Sequence, residues 1–448
     1  MVLPEEYENR MKAYLGEADF RAYLGSLEEK SLRALRVNTL KLSEEEFLSL
    51  GIPGIGQGDR VPWCPEGFYY EETEQKIGDT PAHHGGFFYI QEPSAMAPAE
   101  ALGVRPGERV LDLCSAPGGK GTALAAKMEN RGLLVLNEPV PSRAKILSEN
   151  TERMGIANAL VLCGKPEGLS ERFPGFFDRV LVDAPCSGEG MFRKNPGAVA
   201  EWSGENVLLC AKRQKDILVH AVRMLSPGGR LVYSTCTFNP GENEENTAFL
   251  LKNFPELTLL EEKKLLPWKI RGEGQYYSVF EKTGREGEDP GKKTSFSVEK
   301  PPKERELKAF FEFASGFLRL PKEVLPGGRF VFIGDGLYVM PGDVPGLSGL
   351  RVLRAGLHLG TIRKDRFEPS HALFLYLKKE DTALSAELSE EEAVSYLAGE
   401  SVRLSDKDPR SSLNGWCLLL YKGKSIGGGK INQGMIKNHY PKGLRIRK

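Results

Sequence analysis

Two short stretches carry side chains with chemistry to offer. In "RVLVDAPCSGEGMFRKNP", residues 179–196, the run Val180-Leu181-Val182 reads as a buried strand. It ends in Asp183, and Ala184-Pro185-Cys186-Ser187-Gly188 follows as a stop signal and a loop. In "LVYSTCTFNPGENEEN", residues 231–246, a second apolar strand ends in Thr235-Cys236-Thr237. An acid and two thiols at strand ends are the groups that nucleophilic and acid–base catalysis use. For either cysteine alone, burial as a small apolar side chain is the more ordinary reading. Two thiols at one sheet edge, beside Asp183 and a glycine-rich turn, shift the balance to chemistry.

That turn lies in "VLDLCSAPGGKG", where an apolar strand ends at Asp112 and runs into Cys114-Ser115-Ala116-Pro117-Gly118-Gly119-Lys120. Glycines let a ligand approach the backbone closely. A phosphate-binding loop requires G-x-x-x-x-G-K-[ST], but Cys114 stands at the upstream glycine position and Gly121 follows Gly119-Lys120. A dinucleotide turn requires G-x-G-x-x-G, and residues 116–121 read A-P-G-G-K-G. S-adenosylmethionine, which has no phosphates, remains. It needs room for its amino acid end and an acid for its ribose hydroxyls. Glu138, at the end of "LLVLNE", supplies such an acid. An acid there suits dinucleotides equally, and alone it is a common helix-start residue; the turn decides. Arg143, at the start of the next helix, is placed to pair with a carboxylate.

The elements that must position these residues alternate from Pro106 onward: strand, turn, helix, repeated through "RVLDLC", "LLVLNE", "ALVLC", "FDRVLVDAPC" and "GGRLVYSTC". This pattern predicts an α/β doubly wound, mostly parallel sheet, which binds ligands at the carboxyl ends of its strands. Residues 1–100 read as a small α+β unit, with helix-like "EEYENRMKAYLG" and "EADFRAYLGSL" and an aromatic strand that runs into a helix beginning at Ser94. The expected boundaries are 1–100, 101–283 for the Rossmann-like core, a polar linker over 284–303, an α+β region over 304–380 and a basic region over 381–448. The last carries Arg410, Lys422, Lys424, Lys430, Lys437, Lys442, Arg445, Arg447 and Lys448, with no acid after Asp408. Gly427-Gly428-Gly429 and "NHYP" argue that it is ordered rather than a solvated tail.

Formal net charge is zero, so a basic surface must be local. No apolar stretch of spanning length occurs, and the charged "MVLPEEYENRMKAYL" lacks a signal-peptide core. Seven scattered cysteines without a C-x-x-C pair point to free thiols in a reducing, cytoplasmic setting and away from a metal site.

The segments "CSAPGGK", "DAPCSGEG" and "YSTCT" together resemble the RNA (cytosine-5) methyltransferases of the Sun/Fmu type. "ALRVNTLK", "YIQEPSAM", "RAGLHLG", "RFEPSHAL" and "KNHYPKGLR" resemble the RsmF branch, whose substrate is small-subunit ribosomal RNA. The resemblance implies a Rossmann-like methyltransferase core, a PUA-like RNA-binding C-terminal region, S-adenosylmethionine as cofactor, ribosomal RNA or the small subunit as partner, and a monomer without metal. It implies Cys236 as the nucleophile, Cys186 as the residue assisting release, and Asp183 as the acid holding the base. Cys114, Ser115, Ala116, Pro117, Gly118, Gly119, Lys120, Glu138, Arg143 and Asp183 would contact the cofactor.

The chain departs from the pattern in places. An acid expected near the end of "ALVLC" is replaced by Cys163-Gly164-Lys165-Pro166, which leaves the backbone there to read the adenine. Trp268 and Gln275 stand where histidines are expected. Four alternatives compete. Cytosine-5 DNA methyltransferases use the cysteine after proline as nucleophile, which would assign that role to Cys186. Amino-group methyltransferases carry [DN]-P-P-[YF], and Asp183-Ala184-Pro185-Cys186 lacks the aromatic. A non-catalytic ribosome-assembly factor, or the same chemistry on tRNA, completes the set.

Overall fold

A computed structural model describes residues 1–446 except 57, 75, 285–300, 343, 345, 364 and 405–407. Most of the expected linker and the last two basic residues, Arg447 and Lys448, thus lie outside the described residues.

The centre is an eight-stranded sheet. Three antiparallel N-terminal strands, β1 (Arg33–Val37), β2 (Gly67–Tyr70) and β3 (Phe88–Ile90), precede it in the chain. Its own strands are β4 (Arg109–Asp112), β5 (Leu133–Asn137), β6 (Ala159–Leu162), β7 (Phe177–Asp183), β8 (Leu225–Thr235), β9 (Leu257–Leu265), β10 (Gln275–Lys282) and, from much further along, β13 (Val352–Ala355). The order is β13-β6-β5-β4-β7-β8-β10-β9, with β6 to β8 parallel and β13, β10 and β9 antiparallel to their neighbours. Burial on both faces explains the continuous apolar runs. Val180 and Val182 pack with Leu218, Ala221 and Val222 of the helix Gly204–Met224. Leu181 points the other way, into a cluster with Leu124 and Leu147.

The chain winds from β4 outward through β5 and β6, then returns to place β7 on the other side of β4. The switch point between β4 and β7 opens a crevice at the strand ends. Register places Asp112 opposite Leu181 and Asp183 opposite Ser234, so the acid-bearing ends lie on one edge.

The region expected to stand apart after residue 303 reaches into this sheet. β13 pairs with β6, whose four residues are all buried and would otherwise present an open apolar edge. The rest of that region forms a four-stranded antiparallel sheet of β11 (Arg329–Ile333), β12 (Gly336–Met340), β14 (Leu357–Arg363) and β15 (Arg366–Pro369).

At the N-terminus, the two helix-like segments form one merged helix, Glu5–Glu28, kinked at Gly16, where φ is 76°. The expected helix start at Ser94 is a short 3₁₀ turn, Ser94–Met96, leading into Ala97–Leu102.

The basic C-terminal region is ordered over its described residues, in a sheet of β16 (Ser385–Glu387), β17 (Val402–Arg403), β18 (Gly415–Tyr421), β19 (Lys424–Asn432) and β20 (Met435–Asn438). The glycine triad lies in β19 because bulky rings occupy its face. A Cβ on Gly428 would sit 2.4 Å from the Phe374 ring, and one on Gly427 would meet the Tyr396 hydroxyl at 2.2 Å.

This region is no appendage. Leu35, Phe47, Phe68, Phe87 and Phe88 of the N-terminal unit share one buried cluster with Leu388, Tyr396, Leu397, Cys417, Ile426 and Ile436. Lys424, counted in the basic tail, is spent on an ion pair of 2.8 Å with Glu46. Removing residues 381–448 therefore strips the N-terminal core as well as cations. Uncovering each large apolar side chain costs about 1.5–3 kcal/mol. A chain ending at residue 380 is expected to unfold at least 10 °C below the full chain in a thermal melt, and an unchanged midpoint would contradict the shared core.

Candidate active site

The edge built by β4, β7 and β8 faces a cleft of about 310 Å³ lined by the glycine-rich turn, Asp183, Cys236 and the Tyr89–Glu92 stretch. Asp183 accepts three side-chain hydrogen bonds there. Lys120 Nζ donates to Oδ2 at 2.7 Å, while Ser234 Oγ and Gln275 Nε2 donate to Oδ1 at 2.7 and 3.1 Å. Burial opposes the Lys120 charge, but the Asp183 carboxylate more than offsets it and raises the ammonium's pKa. Lys120 is thereby held as a cation against the carboxylate.

The two thiols meet. Cys186 Sγ and Cys236 Sγ lie 3.3 Å apart. The contact with Cys236, together with burial, raises the Cys186 pKa well above that of an ordinary thiol, so Cys186 keeps its proton. Cys236 lines the cleft beside Asp183, while Cys186 sits behind it.

A polar lock fixes this pair. Ser187 donates from its backbone N to Glu242 Oε2 at 3.0 Å, and its hydroxyl also donates to Glu242. Gln214 Nε2 bonds Glu242 at 2.8 Å and the Pro185 carbonyl at 2.9 Å. Ser187 Oγ further lies 2.9 Å from Thr237 Oγ1, so the residues after each cysteine are tied to each other. Gly190 N donates to the Cys236 carbonyl at 2.9 Å.

The turn is shaped for close approach. Gly118 has φ 113°, a left-handed conformation that favours glycine. A Cβ at Gly121 would lie 2.6 Å from Ser115 Oγ, and one at Gly119 would press on Gln91 at 3.3 Å. Asp112 is fully buried; Ser115 Oγ donates to its Oδ2 at 2.7 Å, and its Oδ1 has no partner. An unpaired buried carboxyl oxygen on the cleft wall, next to a turn without room for side chains, fits a ligand with a donor to offer there. Burial pushes the Asp112 carboxyl up to about 7. It also pushes the Cys114 thiol well above its ordinary value, so Cys114 lines the wall as an inert group.

Glu138 is buried at the end of β5, accepts from Val140 N at 3.0 Å and pairs with Arg143 at 3.2 Å. Arg143 also donates to the Ala116 carbonyl at 3.0 Å. Its guanidinium thus braces the turn against Glu138 instead of standing open for a ligand carboxylate. The backbone expected to read an adenine is engaged at Gly164, whose N–H and C=O are both bonded to the Asn137 side chain at 3.0 Å. The departure at residue 275 has a consequence: Gln275, where a histidine was expected, is a direct partner of Asp183.

Sequence reasoning missed Ser234, Gln275, Glu242 and Arg36. Ser234 carried a signal: it lies two residues before Cys236 and across the ladder from Asp183. Arg36 is buried in β1 and donates to the Gly119 carbonyl at 3.1 Å, Thr122 Oγ1 at 2.8 Å and Gln91 at 3.4 Å, which couples the N-terminal unit to the turn.

A switch-point cleft over a glycine-rich turn, in a sheet of this order, defines a Rossmann-like methyltransferase. Family models match in sequence along the chain: the N-terminal domain of 16S rRNA methyltransferase RsmF over residues 3–93, 16S rRNA methyltransferase RsmB/F over 99–299, the RsmF first C-terminal domain over 312–377 and the RsmF PUA domain over 383–446. Ribosomal RNA small subunit methyltransferase F of Vibrio vulnificus strain YJ016 is 34% identical across 99% of this chain and 97% of its own. That of Shewanella piezotolerans is 33% identical across 97% and 94%. This chain belongs to the RsmF family of 16S rRNA methyltransferases. Among solved structures, a methyltransferase homologue from Pyrococcus horikoshii is 29% identical with a TM-score of 0.54, covering 62% of this chain and all of that one. NSun6 from the same organism, solved with SFG, shares the fold at 20% identity and a TM-score of 0.57, covering 63% and 99%.

The raised Asp112 pKa has a pH signature. The unfolded carboxyl titrates near 3.9 and the folded one at about 7. Its contribution to stability is therefore complete below about pH 4 and is lost as pH rises through about 7. Asp112→Asn removes this dependence. In paired melts between pH 5 and 8, wild type is expected to lose stability relative to Asp112→Asn as pH rises; parallel curves would refute the assignment.

Proposed function

We propose that this chain transfers a methyl group from S-adenosylmethionine to carbon 5 of a cytosine in small-subunit ribosomal RNA, through a covalent cysteine–base adduct. The observation that carries the reading is the thiol pair, 3.3 Å apart and beside the triply bonded Asp183. Cytosine carbon 5 is a poor nucleophile until a thiolate adds at carbon 6. Cys236 lines the cleft and serves as that thiolate. Its bond to carbon 6 moves electron density to carbon 5, where Asp183, fixed by Lys120, Ser234 and Gln275, orients the ring nitrogen and amino edge of the base.

The bound cofactor supplies an electrophilic methyl on a sulfonium. Residues 114–120 hold it through the turn, with Asp112 and Glu138 as the acids at the strand ends and Arg143 bracing the turn. After methylation water entering the cleft takes the proton on carbon 5, the electrons of that bond restore the carbon 5–carbon 6 double bond, and the carbon 6–sulfur bond breaks to return the Cys236 thiolate. Cys186, behind Cys236, assists this release. That Cys236 lines the cleft while Cys186 lies behind it supports this division of labour over the one in which the cysteine after proline attacks.

The fold also supports an RNA surface on the C-terminal sheet. Lys430 and Lys437 are exposed and sit directly opposite each other on β19 and β20. Like charges in that relation oppose folding, and an RNA phosphate resolves the conflict. Replacing both with Gln, which removes the repulsion, is expected to leave the thermal midpoint unchanged or raised. The same change should raise the KM for RNA about tenfold and flatten its salt dependence. An unchanged salt slope would remove this surface from the interface.

The two cysteines separate on a denaturing gel. Cys236→Ala is expected to give no shifted enzyme–RNA band and no methylation. Cys186→Ala attacks and methylates but releases slowly, so a shifted band accumulates in the presence of S-adenosylmethionine. The reverse pattern would exchange the two roles.

A further inference from the structure

Gln275 stands opposite the reactive thiol. Tyr276 pairs with Thr235 across β10 and β8, so the next position outward sets Gln275 beside Cys236. Both residues line the cleft with Asp183. Gln275 is 2% exposed, and the chain before it is held in place: Gly274 has φ 107°, and a Cβ there would lie 2.5 Å from the Phe238 ring. One end of the Gln275 amide is committed, because its Nε2 donates to Asp183 Oδ1 at 3.1 Å. A flipped amide would set Oε1 against a carboxylate oxygen, two acceptors in contact, so this bond fixes which way the amide faces. Among the described residues nothing donates to Oε1, which faces the free space of the cleft.

The acceptors around it are nearly used up. Each carboxylate oxygen offers two lone pairs. Asp183 Oδ1 takes Ser234 and Gln275, and Oδ2 takes Lys120, which leaves the carboxylate one. Glu92, also on the cleft, accepts the backbone N–H groups of Glu273 and Ala95 at 2.8 and 2.7 Å. Gln91 is held between Arg36 and the Ala95 carbonyl. Asp112 Oδ1 belongs to the wall of the glycine-rich turn. A cytosine amino group brings two N–H donors. The carboxylate satisfies one, and Gln275 Oε1 is the open acceptor beside it for the other.

We propose that Gln275 selects the base: its Oε1 accepts one N–H of the exocyclic amine, so the cleft takes cytosine and rejects uracil. The assignment rests on the reading of the cleft as a cytosine site. Uracil carries a carbonyl where cytosine carries the amine, and its oxygen would meet Oε1 acceptor to acceptor. The amide cannot turn its Nε2 to that oxygen without giving up Asp183. A site built to bond a polar group rejects an analogue that leaves its buried partners unpaired. Gln275 is therefore a substrate contact as well as a donor to Asp183.

Bisulfite sequencing of 16S rRNA treated with the full chain first maps the methylated cytosine. RNA is then ligated with 5-fluorocytosine, 5-fluorouracil or 5-fluoropyrimidin-2-one at that position; the last has no exocyclic amine. Fluorine on carbon 5 does not leave as the proton does, so with S-adenosylmethionine the enzyme–RNA adduct accumulates and its rate is read on a denaturing gel. Gln275→Leu loses the bond to Asp183 with every base, and that loss cancels in the ratio of rates. The cytosine-to-uracil and cytosine-to-pyrimidinone ratios are expected to fall about tenfold or more relative to wild type. Gln275→His offers one N–H and one lone pair when neutral, so it should keep both ratios at about pH 8.5 and lose them at about pH 6, where protonation removes the lone pair; wild type should not change. Ratios that survive Gln275→Leu, or that do not change with pH in Gln275→His, overturn this assignment alone. No methylated cytosine in the treated RNA overturns both the assignment and the reading beneath it.

Discussion

Asp183 accepts hydrogen bonds from three separate parts of the chain: Lys120 after β4, Ser234 on β8 and Gln275 on β10. A carboxylate set at the mouth of an apolar sheet loses much of its hydration, and only a full set of donors makes that tolerable. Those donors must arrive from strands that are neighbours in space but far apart in sequence. The sheet order, with β7 between β4 and β8 and β10 beyond, delivers them. The site's geometry is thus a consequence of the crossover at the switch point. A different strand order would leave the acid without its cation or without its amide.

The same logic extends to the thiols. Two sulfurs stay 3.3 Å apart only if their loops are held against drift. Glu242 does this from the end of the Cys236 loop, gathering Ser187 and Gln214. Burial pushes its carboxyl up to about 7, the opposing hydrogen bonds from Ser187 and Gln214 notwithstanding. A group that titrates near neutrality therefore clamps the loop behind the reactive pair.

How far the sequence could be read follows from what each residue's role depends on. The strand ends at Asp112, Asp183 and Cys236 were legible because apolar runs and glycine turns are local signals. That the two cysteines share one sheet edge followed from their places at strand ends, their roles rested on resemblance, and the structure brings the sulfurs to 3.3 Å. Gln275 could not be read as a partner of Asp183, because that contact depends on the register of an antiparallel strand. β13 was invisible for a similar reason: "RVLRA" has no local mark of the sheet it joins. Arg143 looked like a free cation because its partners, Glu138 and the Ala116 carbonyl, are chosen by the fold of the turn. The boundary near residue 381 followed a change in charge, whereas the packing of Phe87 and Phe88 against Tyr396 and Ile426 ignores it.

The position of β13 bears on how the molecule is made. During synthesis the strands that hold Asp112, Asp183 and Cys236 leave the ribosome well before Val352–Ala355 does. Until then β6, with all four residues apolar and meant for burial, has a bare flank. The nascent chain therefore passes through an interval in which every reactive group is present while the outer edge of the sheet is still sticky. Local contacts cannot shorten that interval; the chain must grow past the four-stranded sheet's first hairpin before the flank is sealed. A premature stop between residues 303 and 352 would thus release a protein with its chemistry assembled and its sheet open to pairing with other chains.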